Sequence, residues 1–355
     1  TGVYVIAGGY MATAINDFIQ GIIMIVGIIA VVGAVLKSQG GFLAALDGLA
    51  RVSDPTVSDT PGVFASFFGP DPVGLLGVVL LTSLGTWGLP QMVQKFYAIR
   101  SEKAIDKGTI ISTVFAAIVA GGCYFLGGFG RLFSDQVDVA ANGYDSIVPT
   151  MLEGLSTVLI AVVVILVLSA SMSTLSSLVL ASSSTLTLDF IKDTIVKDMD
   201  EKRQILTMRL LIVVFIAISV VLAIVQYRSN VTFIAQLMGV SWGALAGAFL
   251  APFLYGLYWK KTTRGACWVS FLFSTVVMLA NIFFGKYFPT LLQSPINAGA
   301  FCMLAGLIIV PVVSLVTPRL PQGQIDRIFA CYDRKVVVSV KDSIGDHTNP
   351  KEETP

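Results

Sequence analysis

Small and hydroxyl-bearing side chains recur along one face of the segment that runs from Leu168 to Asp189. At helical spacing this face carries Ala170, Ser173, Thr174, Ser177, Ala181 and Ser184. Hydroxyl oxygens one turn apart, together with a backbone carbonyl, are ligands that bind a small hard cation in membrane transporters. The alternative is that small residues let helices approach closely while the hydroxyls bond back to carbonyls one turn earlier.

Asp17 is the most prominent charge within an apolar run, and Asn16 and Gln20 accompany it in the stretch AINDFIQG. A carboxylate at membrane depth is costly, so it is a functional candidate by default. Asp17 and Gln20 are close enough in the sequence to share one side of a helix. We therefore expect Asp17 to bind an ion or a proton, and an interfacial carboxylate is the simpler alternative.

Two glycines and a proline interrupt a second apolar run in the sequence GTWGLPQ. Proline lacks a backbone donor and disfavours helical geometry in the residue before it, so backbone groups near Leu89 are expected to leave the helical ladder. We predict a discontinuous helix that lines a solute cavity, with an ordinary kink as the alternative. The predicted lining consists of Ser83, Thr86, Trp87, Gly88, Leu89, Pro90 and Gln91.

These residues lie on segments that the composition places in a membrane. Of 355 residues, 55% are hydrophobic and only 13% are charged, whereas soluble domains contain about 25% charged residues. The sequence therefore predicts an all-α integral membrane protein. Eight apolar runs are long enough to span a bilayer, at residues 10–36, 73–96, 108–126, 155–188, 206–226, 231–258, 266–284 and 298–316.

Most of the 23 lysines and arginines fall in every second connection between these runs. The basic connections contain Lys103, Lys202 and Lys261, among others, whereas the alternate connections hold few basic residues. Because loops rich in Lys and Arg remain in the cytoplasm, the first helix is predicted to run from inside to outside. The C-terminus is then predicted to lie on the cytoplasmic side of a cell membrane, plasma or inner.

The remaining residues that could do chemistry argue against several classes of function. The formal net charge is +1, so no nucleic-acid partner is indicated. The four cysteines lie singly, without CxxC spacing, and the single histidine, His347, lies in the polar tail. The apolar runs contain no paired acid and base, no Ser-His arrangement and no cluster of metal ligands in the sequence. We therefore expect neither enzyme activity nor a cofactor.

The connections and the two ends differ in composition from the apolar runs. The outer connections at 38–72 and 131–149 are rich in Gly and Asp, and the stretch from Phe42 to Leu49 predicts a short surface helix. We expect a transmembrane core over residues 1–318 and a cytoplasmic polar tail over 319–355, with 342–355 disordered. Because the chain opens inside a periodic apolar segment, we expect further helices to precede it.

Four segments resemble segments of one known family and come in the same order. Sodium:solute symporters, the proline and pantothenate permease family, have stretches similar to GGYMATAINDFIQG, GLPQMVQKFYAIRS, ASMSTLSS with the following SSSTLTLDFIKD, and SWGALAGAFLAPFLYGLYWKKTTRGA. The eight runs correspond to the last eight of the usual thirteen helices. The resemblance implies a leucine-transporter-like bundle of two inverted five-helix repeats. The first run would close repeat one, the next five would form repeat two, and the last two would be peripheral.

The resemblance also implies which residues bind sodium as the coupling ion. Ala170 would contribute its carbonyl, and Ser173 and Thr174 their hydroxyls, to the main sodium ion. Some members of the family have a second ion beside the first. The positions that match it are Asp17, Ser173, Ser176 and Ser177. The other half of the main site is expected from a core helix outside this chain.

The function implied is secondary active transport, in which sodium influx drives uptake of a small polar organic solute by alternating access. Thr82 stands where proline-specific members carry Trp, and Leu89 replaces a polar residue, which favours a pantothenate-like branch over proline. The expected partners are the solute, sodium and the lipid bilayer. One alternative is proton coupling through Asp17, and another is the membrane sensor portion of a signalling protein. The sequence after Pro318 contains no kinase-like module.

The basic residues lead to a testable topology. In intact cells, an impermeant thiol reagent should label Val57→Cys and spare Lys261→Cys, each introduced into a background without the four native cysteines. The physical reason is that basic loops are retained on the cytoplasmic side. Labelling of position 261 with protection of position 57 would reverse the topology.

Overall fold

A computed structural model describes residues 2–94, 99, 102–137, 143–229 and 234–333 of the chain. The α-helices in these ranges are α1 (Gly2–Ser38), α2 (Phe42–Arg51), α3 (Pro72–Gly88), α4 (Pro90–Gln94), α5 (Glu102–Gly128), α6 (Ile147–Glu153), α7 (Thr157–Thr185), α8 (Glu201–Ser229), α9 (Ile234–Tyr258), α10 (Arg264–Phe284), α11 (Thr290–Gln293), α12 (Pro295–Val316) and α13 (Gln322–Phe329). A π-helical segment, Leu186–Ile195, continues α7. The described ranges contain no named strand, so the predicted all-α class is confirmed.

Seven helical segments of the described chain are long and apolar enough to cross a membrane. They are Thr13–Ser38, Ala104–Gly128, Thr157–Ile195, Glu201–Arg228, Ile234–Tyr258, Arg264–Tyr287 and Pro295–Val316. Each corresponds to one of the eight predicted runs. The remaining run, predicted at 73–96, consists of the 17-residue α3, a break and α4, and its last two residues lie outside the described part. The run is apolar but interrupted, as its two glycines and proline predict.

The chain divides into two compact units. Unit 1 comprises Thr1–Val79 and Thr113–Gly239, and unit 2 comprises Leu80–Ser112 and Val240–Pro355. In unit 1 the most extensive helix pairing is between α1 and α7, and α8 packs beside both. In unit 2 the most extensive pairing is between α10 and α12. The hydroxyl stripe and Asp17 thus lie in unit 1, whereas the interrupted run places its break in unit 2.

The helix α2 packs its apolar side against the end of α1 in unit 1. Ala45 and Leu49 are buried in one cluster with Val31 and Val35. The opposite side of α2 carries Asp47 and the exposed Arg51, which form an ion pair. The predicted short helix after the first span is confirmed, and burial of its apolar side explains why this sequence stays helical.

An ion pair joins the two connections that we predict to lie outside. Arg131 Nη1 lies 3.0 Å from Asp54 Oδ2, and the Arg131 guanidinium lies 4.7 Å from the centre of the Phe64 ring. Thr56 Oγ1 donates to Asp54 Oδ1 at 2.6 Å. This hydrogen bond is the largest cause that lowers the pKa of the Asp54 carboxyl, and Arg131 lowers it further. The two connections are therefore held to each other.

Small residues let α9 approach α10 and α12 closely in unit 2. A β-carbon at Gly243 would lie 2.6 Å from Gly299 Cα, and one at Gly247 would lie 2.8 Å from Cys302 Cβ. Larger side chains would separate these helices, which is the usual reason for small residues at membrane helix interfaces. The Ser274 hydroxyl donates to the Gly243 carbonyl at 3.0 Å. Close approach and a side-chain hydrogen bond thus stabilise the same interface.

Two prolines lie inside spanning helices of unit 2, at Pro252 in α9 and Pro311 in α12. Each lacks the N–H that would bond the carbonyl four residues earlier. The carbonyl four residues before Pro252 is that of Ala248. It accepts a hydrogen bond from the Ser270 hydroxyl on α10 at 3.4 Å.

The carbonyl four residues before Pro311 is that of Leu307. It accepts a hydrogen bond from the Tyr255 hydroxyl on α9 at 2.9 Å. Hydroxyls from neighbouring helices therefore replace both of the backbone donors that these prolines remove, as the apolar surroundings require.

After the last span, α13 packs Ile325 into unit 2. The Tyr332 hydroxyl, in the short turn that follows, donates to the Leu257 carbonyl at 2.8 Å. The first part of the predicted polar tail thus contains an amphipathic helix that packs on the spanning helices. The segment predicted to be disordered, 342–355, lies outside the described residues.

The proline-released carbonyl of Leu307 leads to a stability prediction. Tyr255→Phe should lower the free energy of unfolding by about 1–2 kcal/mol, because it leaves a buried carbonyl without a donor. The measurement is denaturant unfolding of the purified protein. Tyr258→Phe is the matched control, since Tyr258 is 74% exposed in the same helix. An equal effect of the two variants would contradict a specific role for the hydrogen bond.

Candidate functional site

The predicted hydroxyl stripe lies along α7, and its members differ in exposure. Ala170, Ser173 and Ser177 are half-buried, whereas Thr174 is exposed. Ser171, one residue from the stripe, is also exposed. The half-buried positions share one side of the helix, as their spacing predicts. The stripe therefore lies at the edge of the buried surface of α7 and not at its centre.

Three serines of α7 bond back to carbonyls one turn earlier. Ser176 Oγ donates to the Ser173 carbonyl at 2.9 Å, and the hydroxyls of Ser183 and Ser184 donate to carbonyls at 3.0 Å in the same way. For these three residues the helix-packing interpretation holds. Within the described ranges, the hydroxyls of Ser173, Thr174 and Ser177 have no recorded hydrogen bond. These three hydroxyl groups are free to meet a ligand.

The helices α1 and α7 pack side by side in opposite directions. Near the start of α1, Val5 is buried in one cluster with Val179. Further along α1, a β-carbon at Gly27 would lie 2.6 Å from Leu166 Cδ1. The contact of Gly27 with Leu166 sets the register of these antiparallel helices. Asp17, ten residues before Gly27 on α1, therefore lies near the level of Ser176, ten residues after Leu166 on α7.

A polar row on α1 faces α7 at this level. Thr13, Asn16 and Gln20 share one side of the helix with Gly27, which meets Leu166. Thr13 and Gln20 are 4% and 5% exposed. The buried atoms Asn16 Nδ2 and Gln20 Oε1 have no hydrogen-bond partner among the described residues. This interface therefore offers an unused donor and an unused acceptor inside an apolar pair of helices.

Asp17 lies next to this row and is half-buried. Its position is about 100° around the helix from Asn16, so its carboxylate stands at the side of the row. Asp17 is the fifth residue of the 26-residue span Thr13–Ser38, near the end where charges are more readily solvated. The interfacial alternative for Asp17 therefore stands beside the functional one.

The most deeply buried hydroxyls of α7 and its π-helical extension are not those of the predicted stripe. They belong to Ser169, Ser176, Ser183 and Thr187. The first three repeat every seven residues, a spacing that marks one face of a packed helix. This heptad pattern was visible in the sequence, and sequence reasoning missed Ser169, Ser183 and Thr187. Thr187 Oγ1 has no partner among the described residues, and π-helical segments are frequent at functional sites.

The interrupted run breaks where the sequence predicts. The helix α3 ends at Gly88, and α4 begins at Pro90, with the intervening Leu89 fully buried. The Leu89 carbonyl accepts from the Met92 amide at 3.0 Å. Pro90 lacks the N–H that would bond the carbonyl of Thr86, four residues earlier. The backbone ladder is therefore interrupted at Leu89.

The two glycines of the break permit close contact with α9. A β-carbon at Gly88 would lie 2.8 Å from the Ala246 carbonyl oxygen, and one at Gly85 would lie 3.2 Å from the Trp242 ring. The first contact is with backbone, which cannot move aside as a flexible side chain can. These glycines therefore have a packing role in unit 2 besides any role in forming the break.

A cavity of about 420 Å³ adjoins the break. Its lining is Trp87, Gly88, Pro90 and Val93 together with Phe249, Pro252 and Phe253 of α9. Three of the seven predicted lining residues thus meet at one cavity. The other four lie elsewhere: Ser83 is exposed, Leu89 is buried, Gln91 is half-buried, and Thr86 Oγ1 donates to the Ser83 carbonyl. Sequence reasoning missed the aromatic wall from α9, because only the fold brings it beside the break.

Comparison with known families gives a match to the model of the sodium:solute symporter family over residues 1–273. The chain belongs to the sodium:solute symporter family. The resemblance read from the four sequence segments is thereby confirmed. Sodium:solute symporters are all-α membrane transporters, and the seven apolar helices of the described chain agree with that fold. The protein is a multi-pass cell membrane protein.

Several relatives of this chain are named as proline transporters. The high-affinity proline transporter PutP of Bacillus subtilis (strain 168) is 27% identical over 281 residues, which cover 78% of this chain and 57% of the relative. The sodium/proline symporter of Staphylococcus aureus is 25% identical over 323 residues, covering 89% of this chain and 60% of the relative. The osmoregulated proline transporter OpuE of Bacillus subtilis (strain 168) is also 25% identical, over 317 residues, which cover 89% of this chain and 61% of the relative. The chain thus spans about three fifths of the length of these relatives.

The cavity at the break leads to a prediction for this sodium:solute symporter. Trp87→Ala should raise the solute concentration needed for half-maximal uptake by roughly five- to thirtyfold, because truncating a contacting aromatic residue costs about 1–2 kcal/mol. The sodium dependence should change less. Met92→Ala is the matched control, since Met92 lies on α4 outside the lining. If the folded Trp87→Ala variant kept both the parent half-maximal solute concentration and the parent sodium dependence, the segment would be only a kink.

Proposed function

We propose that this protein is a sodium-coupled symporter that carries a small polar organic solute into the cell by alternating access. The pairing of α1 and α7 is the observation that supports this most directly. At the level of the hydroxyl stripe, Asn16 and Gln20 hold buried polar atoms that have no described partner. Leaving such atoms unmet costs about 1–3 kcal/mol each. A bound sodium ion would satisfy the Gln20 oxygen, whereas the Asn16 amide, a donor, would need an acceptor such as a water or the solute.

The main sodium ion is proposed to bind the Ala170 carbonyl and the hydroxyls of Ser173 and Thr174. The two hydroxyls have no recorded hydrogen bond in the described chain, and Ser173 is half-buried beside α1. Hard cations take oxygen ligands, and hydroxyls one turn apart supply two of them from a single helix. Thr174 is exposed in this chain. We therefore propose that the remaining ligands come from a helix other than α7 that would cover Thr174.

A second sodium ion is proposed beside the first, with Asp17, Ser176 and Ser177 as ligands in addition to Ser173. Asp17 lies near the level of Ser176 and within about one turn of Ser173, and its charge would offset that of a cation in an apolar setting. Ser176 donates its proton to the Ser173 carbonyl, which leaves the lone pairs of its oxygen available. Gln20 Oε1 is a further acceptor at this interface.

The solute is proposed to occupy the cavity at the break between α3 and α4, which Trp87 and Pro90 line. Proline is the first solute to test, because several relatives are named for it. Thr82 and Leu89 depart from the proline-specific pattern, so other solutes belong in the same screen. The screen should include other amino acids, short carboxylates, pantothenate and sugars.

A proton-coupled carrier is the second candidate function, because Asp17 is a half-buried carboxylate within a spanning helix. The two candidates differ in one measurement. If solute uptake at fixed pH requires sodium, the result supports sodium-coupled symport. Uptake that proceeds without sodium and follows an imposed pH gradient supports the proton-coupled carrier.

The proposed arrangement in the membrane follows the basic residues. We assign residues 1–318 to the transporter core, as the last helix of repeat one, all of repeat two and two peripheral helices. Residues 319–355 then form a cytoplasmic tail, of which α13 is the described helix. Transport without covalent chemistry needs no enzyme activity and no cofactor other than the coupling ion.

The sodium site leads to a quantitative prediction. Ser173→Ala and Thr174→Ala should each weaken the sodium dependence of uptake by roughly five- to a hundredfold, because losing one good ligand costs about 1–3 kcal/mol. Asp17→Asn should also impair sodium coupling if the second ion is present. The measurement is initial uptake against sodium concentration in the full-length protein.

Two hydroxyls of the same helix serve as controls. Ser171 is exposed, and Ser183 bonds back to the Leu180 carbonyl about 15 Å along the helix from Ser173. Ser171→Ala and Ser183→Ala should therefore keep the parent sodium dependence. Identical sodium curves for all four serine and threonine variants would mean that the stripe serves helix packing, and the ion site would have to be abandoned.

A further inference from the structure

Unit 2 contains a second and larger cavity, of about 540 Å³, which shares Phe249 and Pro252 with the cavity at the break but is otherwise lined by different residues. We call it the α13 cavity, because α13 forms one of its three walls. The walls include Pro252 and Gly256 of α9, Trp268 and Phe271 of α10, and Ile325 and Ile328 of α13. On each helix the lining residues recur at helical spacing, so three apolar faces converge. The volume lies within the range of cavities that hold small ligands.

Two cations line the α13 cavity at the turn between α9 and α10. Lys260 and Arg264 both belong to its lining and are exposed. Lys260 Nζ lies 5.4 Å from the centre of the Phe329 ring on α13. Among the described residues, neither cation forms an ion pair with a carboxylate. An apolar cavity thus ends in two positive charges that have no counter-ion among the described residues.

The turn that carries these cations is fixed by hydrogen bonds. Thr262 Oγ1 donates to the Tyr255 carbonyl at 3.0 Å. Thr263 Oγ1 lies 2.6 Å from Thr317 Oγ1 on the end of α12 and accepts from the Ala266 amide at the start of α10. Because the backbone is held on both sides, the positions of Lys260 and Arg264 are set before any ligand binds. A preorganised site costs less ordering on binding.

The surroundings of the α13 cavity are those of a membrane interface. Its lining includes Trp259 and Trp268, and Trp is enriched where spanning helices meet the headgroup region. The helix α13 is amphipathic, with Ile325 buried and charged Asp326 and Arg327 beside it, which is typical of a helix that lies in the interface plane. A ligand for this cavity should therefore have an apolar part in the hydrocarbon region and an anionic part at the headgroups.

We propose that the α13 cavity binds one anionic glycerophospholipid, with an acyl chain between α9, α10 and α13 and its phosphate held by Lys260 and Arg264. Basic pockets between spanning helices on the cytoplasmic side recognise anionic headgroups, and the predicted topology puts this turn on that side. The lipid would hold α13 against the spanning helices. All lining residues belong to unit 2, so this binding is separable from the proposed sodium site in unit 1.

Quenching of tryptophan fluorescence by brominated lipid tests the proposal directly. The chain has four tryptophans, so Trp87→Phe with Trp242→Phe leaves only Trp259 and Trp268, both at the cavity. Protein in nanodiscs receives dibrominated phosphatidylglycerol or dibrominated phosphatidylcholine at increasing mole fraction. We expect phosphatidylglycerol to reach half-maximal quenching at a lower mole fraction, by about tenfold or more for two cations at the surface.

Charge variants test the headgroup contact. Lys260→Gln and Arg264→Gln should each reduce the preference for phosphatidylglycerol by about fivefold, the effect of one basic residue near an anionic surface. Lys286→Gln is the matched control, since Lys286 lies at the other end of α10 beside Tyr287. It should leave the preference unchanged, whereas a general attraction of anionic lipid to the protein would respond to all three substitutions.

A cavity-filling variant tests the acyl-chain contact. A β-carbon at Gly256 meets no atom within 4 Å, so Gly256→Leu adds a side chain to the cavity without a clash. It should reduce the quenching of Trp259 and Trp268 by phosphatidylglycerol. Gly33→Leu is the control, because Gly33 in α1 also has open space within 4 Å and lies in the other unit.

Native mass spectrometry of the same protein counts retained lipid and does not depend on the tryptophan substitutions. The expected result is one phosphatidylglycerol retained by the parent and by Lys286→Gln, and its loss in Arg264→Gln and Gly256→Leu. Equal quenching by the two lipids in the parent would overturn the proposal. So would a preference for phosphatidylglycerol that survives both the charge substitutions and the filled cavity.

Discussion

Proline in an apolar helix leaves a carbonyl without its backbone donor, and the structure depends on where that carbonyl finds a replacement. At Pro252 and Pro311 a hydroxyl from a neighbouring helix, that of Ser270 or Tyr255, meets the released oxygen. These bonds join α9 to α10 and α12, and so each kink also stabilises the helix packing of unit 2. At Pro90 the helix itself is interrupted, with α3 ending at Gly88 and α4 beginning at Pro90. The same residue type therefore makes a kink in two helices and a break in a third.

The same requirement separates the two helix interfaces that carry polar side chains. Between α9 and α10 the buried hydroxyls of Ser270 and Ser274 donate to carbonyls of the facing helix, so both hydroxyls find a partner within the interface. Between α1 and α7 the polar atoms of Asn16 and Gln20 are buried without described partners. An interface that lacks partners is less stable by the cost of each unmet group. That cost supports our proposal that a coupling ion binds at the interface of α1 and α7.

Several elements were predictable because their cause is local. Hydropathy over some twenty residues predicts a spanning helix, and the seven spanning helices of the described chain lie where the apolar runs predicted them. The break at Leu89 follows from proline chemistry, and the short helix that begins at Phe42 follows from its amphipathic pattern. For the cavity beside the break, the sequence predicted the wall from α3 and α4 but not the wall from α9. Phe249 and Phe253 reach it from a helix more than 150 residues later in the chain.

The sequence by itself determined the family, the all-α membrane class and the position of Asp17 and the hydroxyl stripe on their helices, because residue type and helical spacing suffice for these. Only the tertiary structure decided which hydroxyls are buried. Ser176 and Ser183 are enclosed and bonded back to carbonyls, whereas Thr174 is exposed. The physical reason is that spacing orders the side chains around one helix, but burial and hydrogen-bond partners depend on which other helices pack against it.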